Sequence, residues 1–246
     1  MRAAVLLVAL AACGGSKPAA ADPKPPTQVA AAKRIPIEDS ATDPDDGVDI
    51  KLAHGHMEVA AVSAGVDPHA DELTACYMSR VNKRKWLGGH VSLHWDIKAD
   101  GTVTSVKLAE SDLGAHEIER CLLEVARSAT FGKPVGGDAD FALPLEFSAK
   151  GKPAIWDEDQ ALRAVGGQVA KLDKCAAKAK EPQPENVVIT LYVGPRGLAQ
   201  SVGFSSSATE IGEKWSECAS KAALAWRLPD PKGQVAKLAI RYRAKP

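Results

Sequence analysis

From residue 90 to 108 the chain alternates apolar and polar positions with a period of two, broken once in the middle. Val91, Leu93, Trp95 and Ile97 alternate with Ser92, His94 and Asp96. Past Asp100-Gly101, residues Val103, Ser105 and Lys107 alternate with Thr104, Val106 and Leu108. An Asp-Gly pair between two such segments predicts a β-hairpin, because both residues accept the positive φ that a tight hairpin turn demands. A weaker copy spans residues 187–204, with Gly194-Pro195-Arg196-Gly197 at the turn.

Helical spacing flanks each hairpin. Leu73, Cys76 and Tyr77 fall at i, i+3 and i+4, after an Asp67-Pro68 start. Ile118, Cys121, Leu122, Val125 and Ala126 mark a stripe on a helix over 115–128. Val165, Val169, Leu172, Cys175 and Ala176 do so over 161–180, and Ile211, Trp215, Cys218, Ala219 and Ala222 over 210–226. Strands at 141–147 and 235–242 end the two series, and Pro144 makes the first an edge strand or a bulged one.

The two series are a repeat. Gly101 and Gly197 are 96 residues apart, Cys121 and Cys218 97, Phe131 and Leu228 97, and Cys76 and Cys175 99. The predicted class is α+β, with domains at 66–150 and 160–246. Each reads as helix–β-hairpin–helix–strand, with a three-stranded antiparallel sheet covered on one face by two helices. Each is small for a stable core.

The N-terminus reads differently. Residues 1–12, MRAAVLLVALAA, carry one cation and a short apolar run ending in small residues, the pattern of a secretory leader and too short to span a bilayer. The Leu10-Ala11-Ala12-Cys13 tetrad resembles the bacterial lipoprotein box, in which the cysteine becomes the acylated first residue; the alternative is an ordinary secretory leader cleaved nearby. Multiple acyl chains anchor stably where one binds marginally. Gly14, rather than aspartate, points to the outer membrane. Residues 13–65 read as the lipid attachment site and a disordered tether, Pro- and Lys-rich and then acidic; 57–66 is a short helix or a lead-in.

Export changes the meaning of the cysteines. With Cys13 set aside, Cys76, Cys121, Cys175 and Cys218 are an even set in an oxidising compartment, and none forms a C-x-x-C pair. Each repeat places one cysteine on the buried stripe of each helix. Helices packed on one sheet face would let Cys76 reach Cys121 and Cys175 reach Cys218. The alternative is four buried thiols acting as small hydrophobes.

Each repeat resembles the C-terminal domain of the AgmX/PglI proteins of gliding myxobacteria, itself similar to the TonB C-terminal domain. In the first repeat the matching positions are Cys76, residues 91–97, Asp100-Gly101-Thr102-Val103, Cys121, Phe131 and 144–147; in the second, Cys175, 187–193, Gly197, Cys218 and Ala225-Trp226-Arg227-Leu228-Pro229. The first departs at Ala129-Thr130-Phe131-Gly132, where such domains carry a Trp-Arg-Phe-Pro run, and the second at its turn. The resemblance implies a periplasmic protein-interaction module. It implies no ligand, and this chain has no inner-membrane helix of the TonB kind.

Catalysis finds little support. His90, His94 and His116 lie near Asp96 and Glu117, but His94 and Asp96 belong to what reads as an exposed polar strand face. No nucleophile elbow, Walker loop or zinc-protease helix is present. His54-Gly55-His56 has only Glu58 beside it as a further metal ligand. Lys83-Arg84-Lys85-Trp86 reads as a surface loop, and Ser205-Ser206-Ser207 as a polar one. Equal numbers of cationic and anionic side chains, 31 each, disfavour nucleic acid. The expectation is a non-enzymatic protein with no cofactor or metal. It is anchored through Cys13 to the periplasmic face of the outer membrane, and it binds an envelope partner by strand addition at 235–242 or serves as a structural spacer.

Overall fold

The computed structural model describes residues 54–81 and 84–243. The leader, Cys13, the tether through residue 53 and Lys83 lie outside the described residues.

The first repeat contains α1 (Val59–Val66), α2 (Ala70–Val81), β1 (Gly89–Ile97), β2 (Val103–Ser111), α3 (His116–Ser128) and β3 (Ala139–Phe147). Strand order is β2-β1-β3, antiparallel throughout. The expected alternation sets the faces: Val91, Leu93, Trp95 and Ile97 are buried, while His90, Ser92, His94 and Asp96 point the other way. β1 and β3 pair without a register shift. Pro144 therefore marks an edge strand rather than a bulge. The extra residues lie on β2, where Thr104 and Ala109 have no partner across from β1. α2 and α3 cover the buried face, and the Trp95 indole donates to the Ala126 carbonyl at 3.0 Å. Folding begins before residue 66. His56 bridges to Val135, and Gly65, on α1, lies against the Phe131 ring.

The second repeat contains β4 (Ala154–Ile155), α4 (Glu158–Val165), α5 (Asp173–Ala179), β5 (Val187–Val193), β6 (Ala199–Ser205), α6 (Glu213–Leu224) and β7 (Ala236–Tyr242). Its sheet has four strands, not the expected three, in the order β4-β7-β5-β6. The added β4 comes from the inter-repeat connection and pairs parallel to β7. The single helix expected over 161–180 is broken. α4 ends at Gly166, whose φ of 51° leaves the α-helical region, and a 3-10 stretch, Gly166–Leu172, precedes α5. An Asp157–Gln160 capping box starts α4.

Disulfides join Cys76 to Cys121 and Cys175 to Cys218, with Cα–Cα distances of 5.7 and 5.6 Å. Each ties α2 or α5 to the second helix of its repeat, α3 or α6. The two copies also share a packing contact. The turn glycine of each hairpin lies under the backbone that follows the second helix. A Cβ on Gly101 would stand 3.2 Å from the Phe131 carbonyl, and one on Gly197 would collide with the Leu228 carbonyl. Hairpin turn and post-helix segment therefore lie against each other in both copies.

The two repeats pack as one compact body. β5 explains why. Its sequence, VVITLYV, shows no alternation, because both faces are covered. Val187, Ile189, Leu191 and Val193 enter the second core, and Tyr192 joins the first.

Candidate functional site

Two places carry unusual chemistry: the seam between the repeats, and the free edge of the second sheet.

The seam is built on the outer face of β5, β6 and β7. Thr190 donates to the Ser111 carbonyl at 3.3 Å, Ser201 to the Gly114 carbonyl at 2.7 Å, and Tyr192 to the Gly88 carbonyl at 3.0 Å. Burial pushes the Tyr192 hydroxyl far above its usual range. Lys237 lies 3.1 Å from Asp112 and over the Tyr192 ring. Trp86 packs on Tyr192 at 4.5 Å between centroids, so the aromatic of the basic loop serves the seam.

At its centre is Glu119. The residue is 2 % exposed and lies on α3. One oxygen accepts from the Ser111 hydroxyl at 2.7 Å and faces the Ala115 N–H at 3.4 Å. The other accepts the Phe204 N–H at 2.9 Å, across the seam. Ser206 N–H, two residues on, donates to the Leu108 carbonyl at 2.9 Å. These two amides belong to the side of β6 that faces away from β5, which would otherwise be an unpaired sheet edge. Gly203 makes the approach possible, since a Cβ there would overlap the Glu119 carboxylate. Among the described residues no cation lies within ion-pair distance of Glu119. Arg120 is turned to Glu124, Glu213 and Glu217 at 3.4–3.6 Å. Burial raises the Glu119 carboxyl to about 7, against the opposing pull of its hydrogen bonds.

The histidines expected near one another are not brought together. His94 sits on the outer face of β1, 3.2 Å from Asp96 and 3.6 Å from Asp140; Lys107 reaches Asp96 at 3.8 Å. His90 meets Glu146 at 3.0 Å. This is a half-buried ladder of charged and polar side chains. His116 lies apart, against Phe204 at the seam, with its Nε2 buried and unpartnered. Burial, then Arg120, lowers its basicity. Glu117 points to Arg84 at 3.7 Å. His56 pairs with Glu58 at 3.1 Å, both exposed. Ser205 and Ser206 are buried rather than in a polar surface loop; the Ser206 hydroxyl donates to the Glu185 carbonyl.

Sequence reading missed Glu119. A signal existed: it shares a helix face with Leu122 and Ala126, at i+3 and i+7, so a carboxylate stood on an apolar stripe.

The free edge belongs to β7. Trp156 N–H donates to the Lys237 carbonyl at 2.9 Å and Ala154 N–H to that of Val235 at 2.8 Å, so odd-numbered residues turn their peptide groups away from β5. β4 then ends. Ala239 and Arg241, of the same parity, direct their backbone groups to the open side. A cleft beside them is lined by Ile155, Trp156, Asp112 and Val188. Ile155 is 69 % exposed, and among the described residues Arg241 and Arg243 are exposed with no ion pair. β3, the free edge of the first sheet, carries Pro144, which has no N–H to offer.

Comparisons with family models, curated proteins and solved structures found no match to this chain.

Proposed function

We propose that this chain is a non-enzymatic interaction module of a bacterial envelope, lipid-anchored through Cys13 on the periplasmic face of the outer membrane, which captures an extended segment of a partner protein along the free part of β7. The observation that carries the reading is the termination of β4 at Ile155, which leaves the Ala239 and Arg241 backbone groups facing outward. Strand addition draws its affinity from such groups and its selectivity from alternate side chains. Unpaired Arg241 and Arg243 favour acidic residues at alternate positions of the segment. Neighbouring edges are closed: β2 and β6 meet at the seam, and Pro144 blunts β3. The element order helix–strand–strand–helix–strand, found twice, supports kinship of each repeat with the AgmX/PglI and TonB C-terminal domains. That kinship is what supports placing the chain in a motility or other envelope complex.

Photo-cross-linking tests the reading in intact envelopes. Benzoylphenylalanine at position 239 should give an adduct of one defined mass, lost when Arg241→Pro removes an outward N–H. The same probe at exposed Met78 serves as control. No adduct at 239, or the same adducts at 78, would leave a spacer role. Mass spectrometry of the membrane fraction should find acylated Cys13; an unacylated, soluble chain would remove the anchor.

A further inference from the structure

We propose that Glu119 is a protonation-controlled latch between the two repeats: uncharged, it holds the β6 edge against α3, and ionised, it loosens that edge. The geometry has three parts. The carboxyl is fully enclosed, and it joins donors of both repeats, Ser111 and Ala115 on one side and Phe204 on the other. Among the described residues no cation lies within ion-pair distance of it. The groups facing the site are His116, Arg120, Glu124 and Arg127 on α3, Glu213 and Glu217 on α6, and Tyr192 on β5. Arg120 is held by three carboxylates, and Arg127 by Glu210. His116, which lines the same site, is made less basic by its burial and then by Arg120.

A protonated Glu119 fits the same contacts. Its O–H can donate to Ser111 Oγ, which stands 2.7 Å away, while the other oxygen still accepts from Phe204. An ionised Glu119 keeps three donors but carries a charge without an ion-pair partner among the described residues in a buried seam, the costlier state. The sign follows from proton binding. A carboxyl that holds its proton more tightly folded than unfolded contributes stability that is complete below the unfolded value of 4.5. That contribution is lost as the pH rises toward about 7.

Amide hydrogen exchange of the intact chain, corrected for intrinsic rates, tests this between pH 5 and 8. Phe204 and Ser206, which donate across the seam, should lose about tenfold or more in protection as the pH rises. Leu191, within β5, should change little. In Glu119→Gln the fall at 204 and 206 should vanish. Constant protection in the wild type, or the same fall in the variant, would overturn the latch. Should Glu119→Gln not fold, the carboxyl ¹³C of Glu119 in the wild type decides: a midpoint near 7 supports the latch, and one near 4.5 sinks it.

Discussion

The Glu119 carboxylate of the first repeat accepts the Phe204 N–H of the second at 2.9 Å, and so replaces the neighbouring strand that β6 lacks. Truncation to alanine leaves the Phe204 amide and the Ser111 hydroxyl without their partner in a closed seam. Glu119→Ala should therefore cost about 3 kcal/mol or more, since each buried unsatisfied group costs ~1–3 kcal/mol. Glu119→Gln retains an acceptor for Phe204 and should stay within ~1 kcal/mol of wild type at pH 6. Urea denaturation of the two variants gives the difference; equal losses would mean that volume, not hydrogen bonding, holds the seam.

Gly203 permits that approach. A Cβ at this position would sit inside the carboxylate's space. Gly203→Ala should destabilise by about 1–3 kcal/mol through overpacking. The cost should shrink in a Glu119→Ala background, where the obstructing group is gone. A double-mutant cycle on thermal unfolding reads the coupling directly, and strict additivity would show that the two residues do not meet.

Local pattern made much of the fold legible. The hairpin at 90–108 announced itself through alternation and Asp100-Gly101, because a strand with one wet face must alternate. The cysteines were legible because each sat on a helix stripe. What stayed hidden arises between repeats. β4 has only two residues, Ala154 and Ile155, and gains its meaning from β7, over eighty positions away. VVITLYV at 187–193 recorded two-sided burial, yet a continuous apolar run does not name the element covering its second face. Glu119 is a lone charge on an apolar stripe, and only the fold brings Phe204 to it. Gly166-Gly167, which splits the expected long helix, was visible but outweighed by the apolar periodicity around it.

The turn glycines should tolerate substitution unequally. Gly101 adopts a φ of 93° and leaves 3.2 Å to the Phe131 carbonyl for an added Cβ. Gly197, at a φ of 70°, has the Leu228 carbonyl directly in the way and accepts the Leu228 N–H at its own carbonyl, 3.0 Å away. Gly101→Ala should cost about 1–2 kcal/mol from backbone strain. Gly197→Ala adds a clash and should cost at least about 2 kcal/mol more. Comparison of melting temperatures checks the order, and a milder Gly197 variant would mean that the post-helix segment can move aside.

The disulfides should contribute separately. Cys76–Cys121 closes a sequence separation of 45 residues and Cys175–Cys218 one of 43. Chain-entropy reasoning assigns each about 2–4 kcal/mol. Replacing either pair by alanine should lower stability by a similar amount, and replacing both should approach the sum, because each bridge lies within its own repeat. Denaturant titrations of the three variants give these values; a double loss well above the sum would show that the bridges also support the seam.

Two groups at the seam titrate with opposite consequences. His116 is held below its ordinary 6.5 by burial first and Arg120 second. A histidine less basic folded than unfolded contributes stability above pH 6.5 that is lost as the pH falls below it. Glu119 loses its contribution in the other direction, as the pH rises from 4.5 toward about 7. Over the shared interval the slopes oppose each other, so the wild type should show a flatter stability profile than either single variant. His116→Phe suits the apolar contact with Phe204 and removes a buried, unpartnered nitrogen. It should leave a profile that declines toward neutral pH. Glu119→Gln should leave one that declines toward acid. Urea midpoints between pH 4.5 and 8 check both limbs. Parallel profiles in all three proteins would place the titrating groups outside the seam.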